Sequence, residues 1–273
     1  MGRSHSVAVL CILAVVLLLG GCSVPGEPLG DGSTEDPDAN LDHEPDPEAV
    51  FEAAFVHSDD LEDVSGVRTT TATDGTETAA EVIRVHERPY VDYRSEVLES
   101  PTATDGTIYV SNATTTWWYD AESNSASYYE ADEPYGNEDV RAARAEQAER
   151  QLEMYDLEYR GTETIANRDA HVLEVEARDE VVEDGISLLV GETEFVYALE
   201  TVDPADELAV HQQTIWIDAE YAYPLKEELV VERPDGDRHT LTERFDEVTF
   251  NAGVDDETFA FDPPEDAEVE DVS

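Results

Sequence analysis

The sequence predicts a mainly β domain, an antiparallel meander interrupted by two helices, and three observations predict it. The first is Gln213-Thr214-Ile215-Trp216-Ile217-Asp218 with its return run Pro224 to Val231. The forward run is rich in β-branched and aromatic residues, which suit a pleated strand. The five residues Ala219 to Tyr223 reverse the chain, and Pro224 opens the second strand where no ladder N–H is needed. The second observation is punctuation. Asp74-Gly75, Asp105-Gly106 and Pro234-Asp235-Gly236 each separate runs of strand character. The third is helical spacing in two places, Phe51/Ala54/Phe55/Ser58/Leu61 and, more thinly, Val140/Ala148/Leu152/Tyr155.

The first 22 residues read as a lipoprotein signal peptide. Arg3 supplies the n-region charge, and Val7 to Leu19 is apolar but too short to span a bilayer comfortably. Leu19-Gly20-Gly21-Cys22 follows, an arrangement that resembles the lipobox, with Cys22 as the lipidated residue. An ordinary signal peptide or an uncleaved anchor are the alternatives. The chain has two cysteines, and Cys11 lies inside the signal. The folded part therefore has no thiol for disulfides, thiolate metal sites or thiol catalysis. Residues 23–45 combine glycine, proline and acids with almost nothing apolar, and read as a flexible acidic tether.

A folded domain is expected over 46–266. Asp46-Pro47-Glu48 is a helix start: a cap, a proline suited to the first position, and an acid for the first turn. The helix is expected to run to Gly66, either packed on a sheet or lining a ligand cavity. Strands are then expected over Val67–Thr73, Glu77–Glu87, Tyr90–Glu99 (after Pro89), Thr107–Ser111, Thr115–Asp120 and Ser125–Glu130. Asn112-Ala113-Thr114 is an N-glycosylation sequon. Asn137 opens the second helix, which ends near Tyr155. Strands return at Leu157–Thr164 and His171–Ala177. Over 179–207, Ile186–Val190 and Glu194–Thr201 read as a strand pair, or the first as a short helix. Thr240–Phe245 and Val248–Asn251 complete the meander, and 267–273 is an acidic tail.

Charge excludes some partners. The chain carries 67 acidic and 15 basic residues, a net charge of −52. Twelve tyrosines, seven phenylalanines, three tryptophans and the strand periodicity argue against global disorder. A cation site would cluster its carboxylates, whereas these are spread along the chain. The remaining reading is a solvated surface suited to very high salt, where the Debye length falls to about 3 Å at 1 M and self-repulsion is screened. Nucleic acid is disfavoured, because phosphate binding needs basic patches.

The order helix, meander, helix, meander resembles the LolA/LolB-like lipoprotein carrier superfamily. The resemblance rests on Pro89 through Arg94, on Trp117 with Tyr119 and Asp120, on Gly161 through Leu173, on Trp216-Ile217-Asp218 with Tyr223-Pro224-Leu225-Lys226, and on Val248 to Asn251 with Phe259, Phe261 and Pro264. It covers roughly 47–266. Asn167-Arg168 departs from a usual Gly-Arg or Gly-Lys, and the insertion near 179–207 departs from the pattern. The resemblance implies a curved antiparallel half-barrel with helices over its concave face and an apolar cavity for acyl chains. Phe51, Phe55, Trp117 and Trp216 are the candidate lining residues, with plain core positions as the alternative.

The function expected is a lipid-anchored, extracytoplasmic binder or carrier of lipid or lipoprotein acyl chains, driven by apolar burial. The alternative is a sensor or interaction domain that regulates a membrane partner on the same fold. No enzyme is expected. The chain contains no G-x-S-x-G, no H-E-x-x-H and no Gly-rich phosphate loop, and its histidines are scattered, with His86, His171 and His211 in strand-like runs. No metal or cofactor is expected.

Overall fold

The computed structural model describes residues 44–177, 186–190, 193–197, 209–232 and 238–273. The proposed signal peptide, Cys22 and nearly all of the acidic tether lie outside the described residues. Helix α1 (Pro47–Val56) begins as expected: Asp46 accepts the Glu48 N–H at 3.2 Å, and Pro47 takes the first turn. It ends ten residues before Gly66, because His57 turns to φ 52° and donates its N–H back to Ala53. Gly66 instead lies within a strand.

One twelve-stranded sheet carries the domain. Its first half is a meander in chain order: β1 (Val64–Thr73), β2 (Thr78–Arg88), β3 (Asp92–Glu99), β4 (Ile108–Ser111), β5 (Thr115–Asp120) and β6 (Ser125–Glu130). Helix α2 (Asn137–Met154) then leads into β7 (Tyr155–Ile165) and β8 (Arg168–Ala177). Within the insertion, β9 (Ile186–Val190) pairs antiparallel with β10 (Thr193–Tyr197) apart from the main sheet, and β9 lies alongside the later strand Pro224–Glu232. The second half is completed by β11 (Ala209–Asp218), β12 (Pro224–Glu232) and β13 (Arg238–Phe250). The two runs expected at 240–251 are thus one strand with a bulge, where Val67 faces Glu247 but Arg68 faces Phe245.

The spatial order is β14-β6-β5-β4-β3-β2-β1-β13-β12-β11-β8-β7, so β1 and β13 join the two meanders at the centre. The sheet is open, with β7 at one edge and β14 (Glu268–Asp271) at the other. Residues expected as a simple acidic tail thus include an edge strand. It pairs in parallel with β6, while the other pairs are antiparallel. This is the open half-barrel expected, with two helices on one face.

Residue register defines that face. Leu173, Ile215, Glu227, Glu243 and Thr70 are successive cross-strand partners, as are Phe245, Arg68, Ile83 and Val97. The helices lie over its β7–β8–β11 end. Phe51, Ala54 and Phe55 pack there with Ala148, Leu173, Val175, Ile215 and Ile217, all at most 3% exposed. The link between β2 and β3 pins the helix pair: the Tyr90 hydroxyl donates to Val56 O, and Arg144 lies 5.3 Å over the Tyr90 ring.

At the rim, Asp218 organises the β11–β12 turn. One oxygen accepts the N–H groups of Glu220 and Tyr221, and Arg168 grips both carboxylate oxygens at 2.8 and 3.0 Å. Asp63, 3% exposed, holds the chain after β13 by accepting the N–H groups of Ala252, Gly253 and Val254.

Candidate functional site

The helix-side face is not uniformly apolar. Its centre is charged. Arg68 Nε stands 2.8 Å from Glu243 Oε1, with the side chains 2% and 6% exposed. Arg68 also donates to the Tyr93 hydroxyl at 3.3 Å. Tyr223, fully buried, donates to Glu87 Oε2 at 2.7 Å, and Gln213 donates to Glu227 Oε1 at 2.5 Å. Burial opposes the Arg68 charge, yet Glu243, Tyr93 and Glu87 hold its pKa above the usual arginine range. Burial pushes Glu243 up, against the pull of Arg68 and the hydrogen bond from Thr70. Burial also raises Tyr93. These groups are closed off from solvent, so the centre is a packed polar layer.

Beyond it the face opens. Tyr93, Tyr109 and Trp118, one from each of β3, β4 and β5, form a ladder with ring centroids 5.7 Å apart at both steps. Tyr109 and Trp118 are direct cross-strand partners. Trp118 is 39% exposed, against 2% for Phe51. It borders a cleft of about 520 Å³ against the sheet edge. Ser95, Val97, Tyr109 and Ser127 line it with Trp118, and Glu268, Val269 and Glu270 of β14 close its side.

The four candidate lining residues are divided by this geometry. Phe51 and Phe55 come together, edge to face at 5.2 Å, but inside the core under the helices. Trp216 alternates with Ile215 and Ile217 and so stands on the opposite face, where Lys226 lies 3.7 Å over its ring and Glu163 accepts its N–H at 2.8 Å. Trp117 also points to that face, stacked on Tyr128 at 4.7 Å and covered by Phe261. The open indole is its neighbour Trp118. Sequence reading named Trp117; which of the two adjacent indoles faces the helices is set by pairing register, since a one-residue shift exchanges the two faces.

Asn112 sits at the β4–β5 turn. Its Oδ1 accepts the N–H groups of Thr114 and Thr115, and its Nδ2, the atom a glycan would take, donates to Phe259 O at 3.0 Å. Glycosylation would take one of the two Nδ2 hydrogens and leave one N–H to donate. Among the described residues no group of three His, Cys, Asp or Glu side chains could hold a metal ion. Ser65 Oγ and His86 Nδ1 approach to 3.0 Å as cross-strand partners on the face away from the helices. Burial first, then Arg84 and Arg94, lower the His86 pKa and so disfavour the charged ring. No described helix is long and apolar enough to cross a membrane.

No protein-family model matches the chain, and no curated protein matches it. Solved structures resemble it at low identity. An uncharacterised conserved protein from Thermus thermophilus is 15% identical, covering 82% of this chain and 98% of that one, with a TM-score of 0.44. A LolA superfamily protein from Nitrosomonas europaea is 11% identical, covering 79% and 97%, with a TM-score of 0.33. The MucA/MucB complex of Pseudomonas aeruginosa gives 14% identity, covering 78% of this chain and 59% of that one, with a TM-score of 0.41.

Proposed function

We propose that this protein is an extracytoplasmic domain, tethered to the membrane through a lipid on Cys22, that binds the apolar part of a lipid or of a lipoprotein on the open portion of its helix-side face. The observation that carries this reading is the unequal covering of that face. The helices bury its β7–β8–β11 end, while Trp118 stays exposed and Tyr109 half-buried beside a cleft of about 520 Å³. That volume is in the range of small-molecule sites, roughly 300–1,000 Å³. The charged layer around Arg68 and Glu243 limits the reach of an acyl chain. Those groups are buried against one another, so an acyl chain could enter only by prising apart paired polar groups. The ligand therefore lies along β3 to β6 and not beneath α1.

The test is mass spectrometry of lipid extracted from the full chain, purified without detergent at high salt from a membrane-containing source. A stoichiometric lipid supports the reading. A ligand-free protein that also fails to take up a neutral fluorescent lipid overturns it. It would favour the second reading, a module that regulates a membrane partner. The edge strand favours that second reading: Val269 and Val272, 51% and 48% exposed, present apolar surface at one side of the sheet. The anchor is tested separately, by whether Cys22→Ser releases the protein from the membrane fraction.

A further inference from the structure

The cleft beside Trp118 has a chemistry of its own. Among the side chains that line it there is no lysine, arginine or histidine. Three are carboxylates: Asp120, Glu268 and Glu270. Ser95, Thr107, Tyr109, Ser125 and Ser127 bring hydroxyls, and Trp118 and Tyr109 bring aromatic rings. Asp120 is fixed as an anion. It accepts the N–H groups of Ser123 and Glu122 at 3.0 and 2.8 Å, and these bonds hold its pKa below the usual carboxylate range.

Resting on the reading above, we propose that this cleft receives a neutral, hydroxyl-rich headgroup, a sugar carried on an apolar chain, and rejects phosphate- and sulfate-bearing headgroups. A sugar ring offers an apolar C–H face, which can lie on the exposed Trp118 indole. Its hydroxyls both donate and accept. The carboxylates of Asp120, Glu268 and Glu270 can only accept when ionised, and the serines and threonine do both. A hydroxyl donated to a carboxylate is a charge-assisted bond, about twice as strong as a neutral one. An anionic headgroup has no such match. It would surrender water to a surface with no cationic donor and three like charges, and a charge removed from water without a partner is costly. Molar salt does not abolish this discrimination. A Debye length of about 3 Å screens distant charges, but it does not supply donors at contact distance. The apolar chain then runs from the cleft past Val97 onto the open face.

The experiment titrates the full chain with dodecyl maltoside and with dodecyl phosphate, each below its micellar concentration in molar salt, followed by calorimetry. The expected result is saturable binding of the maltoside, at least tenfold tighter than the phosphate. Trp118→Ala should weaken the maltoside tenfold or more, and Trp118 is exposed enough that the variant folds. Glu270→Lys, also at an exposed position, should bring dodecyl phosphate within reach of the maltoside affinity. Equal binding of the two amphiphiles by the unaltered protein overturns the headgroup inference and leaves the hydrophobic-ligand reading standing. Unchanged maltoside binding in Trp118→Ala also overturns the inference. Binding of neither amphiphile removes both.

Discussion

Arg68 on β1 and Glu243 on β13 face each other 2.8 Å apart in the middle of the sheet, neither more than 6% exposed. Cross-strand partners of this pair, Thr70 and Phe245, complete its walls: Thr70 donates to Glu243, and the Phe245 ring lies 6.0 Å from the guanidinium. Glu87 and Glu227 are buried on the same face. Arg68 therefore balances more carboxylate than its own partner, and its loss should be felt beyond one ion pair.

Replacing Arg68 with Met should cost about 3–5 kcal/mol, the usual penalty for leaving a buried charge without its counter-ion. Arg68→Met combined with Glu243→Leu should recover much of that loss, because an apolar pair of similar volume needs no desolvation of charge. Urea unfolding in molar salt measures both. A single variant as stable as the parent, or a double variant no better than the single, contradicts this account.

The pH dependence follows from the raised Glu243 pKa. The folded state holds the Glu243 proton more tightly than the unfolded chain does. Its contribution to stability is therefore complete below the unfolded glutamate pKa, and is lost as pH rises through the folded one. The parent should lose stability relative to Glu243→Gln as pH rises from about 4. The difference between the two unfolding free energies, measured across that range, should fall and then level off. A difference that grows with pH refutes the assignment.

Much of this architecture was legible in the sequence, and the gaps have physical causes. The Asp-Gly turns fixed the first meander because those residues accept the backbone angles that hairpins need: Gly75 and Gly106 have φ of +84° and +85°. The start of α1 was readable from its Asp46 cap and Pro47, whereas α2 starts after Gly136 with no side-chain cap. The end of α1 was not readable, because His57, with no glycine or proline, makes the stop by a positive φ. The faces taken by the candidate lining residues were hidden for a different reason. Which of Trp117 and Trp118 looks inward depends on pairing register, and the bulge at Val67/Arg68 shifts the face of everything after it on β13. The charged layer was hidden for the same reason, since among 67 acids nothing in sequence marks Glu87, Glu227 and Glu243 as the buried ones.

Gly66, expected to terminate the helix, has a packing role. A β-carbon there would run into Glu247 O and would meet the Phe245 ring at 2.8 Å. The nearer atom is backbone, so β13 would have to move. Gly66→Ala should destabilise by about 1–3 kcal/mol, as overpacked sites do. A thermal melt in molar salt that matches the parent would show that the strand yields freely.

Salt should matter throughout. With a net charge of −52, the surface repels itself, and dilution removes the screening that offsets this. Circular dichroism should show strand signal lost as sodium chloride falls from molar to tens of millimolar, and potassium chloride should restore it. Full structure at low salt would mean that the charge has no bearing on folding.

The last prediction concerns β14. All four of its residues are exposed, so its removal takes little from the core. Deleting residues 267–273 should change the unfolding free energy by no more than about 0.5 kcal/mol, as surface changes do. The consequence should appear in assembly. β6 reads Ser-Ala-Ser-Tyr-Tyr-Glu, with a single charge, and without β14 it would present an unpaired ladder of N–H and C=O groups. Such an edge is a template for pairing with another chain. In the intact protein the strand on that edge is short and carries Glu268, Glu270 and Asp271, which discourage a further strand by like charge. Size-exclusion chromatography with light scattering should therefore find the intact chain monomeric and the shortened one self-associated, increasingly so with concentration. A shortened chain that remains monomeric would show that the exposed edge of β6 needs no cover. One that unfolds would show that β14 belongs to the core.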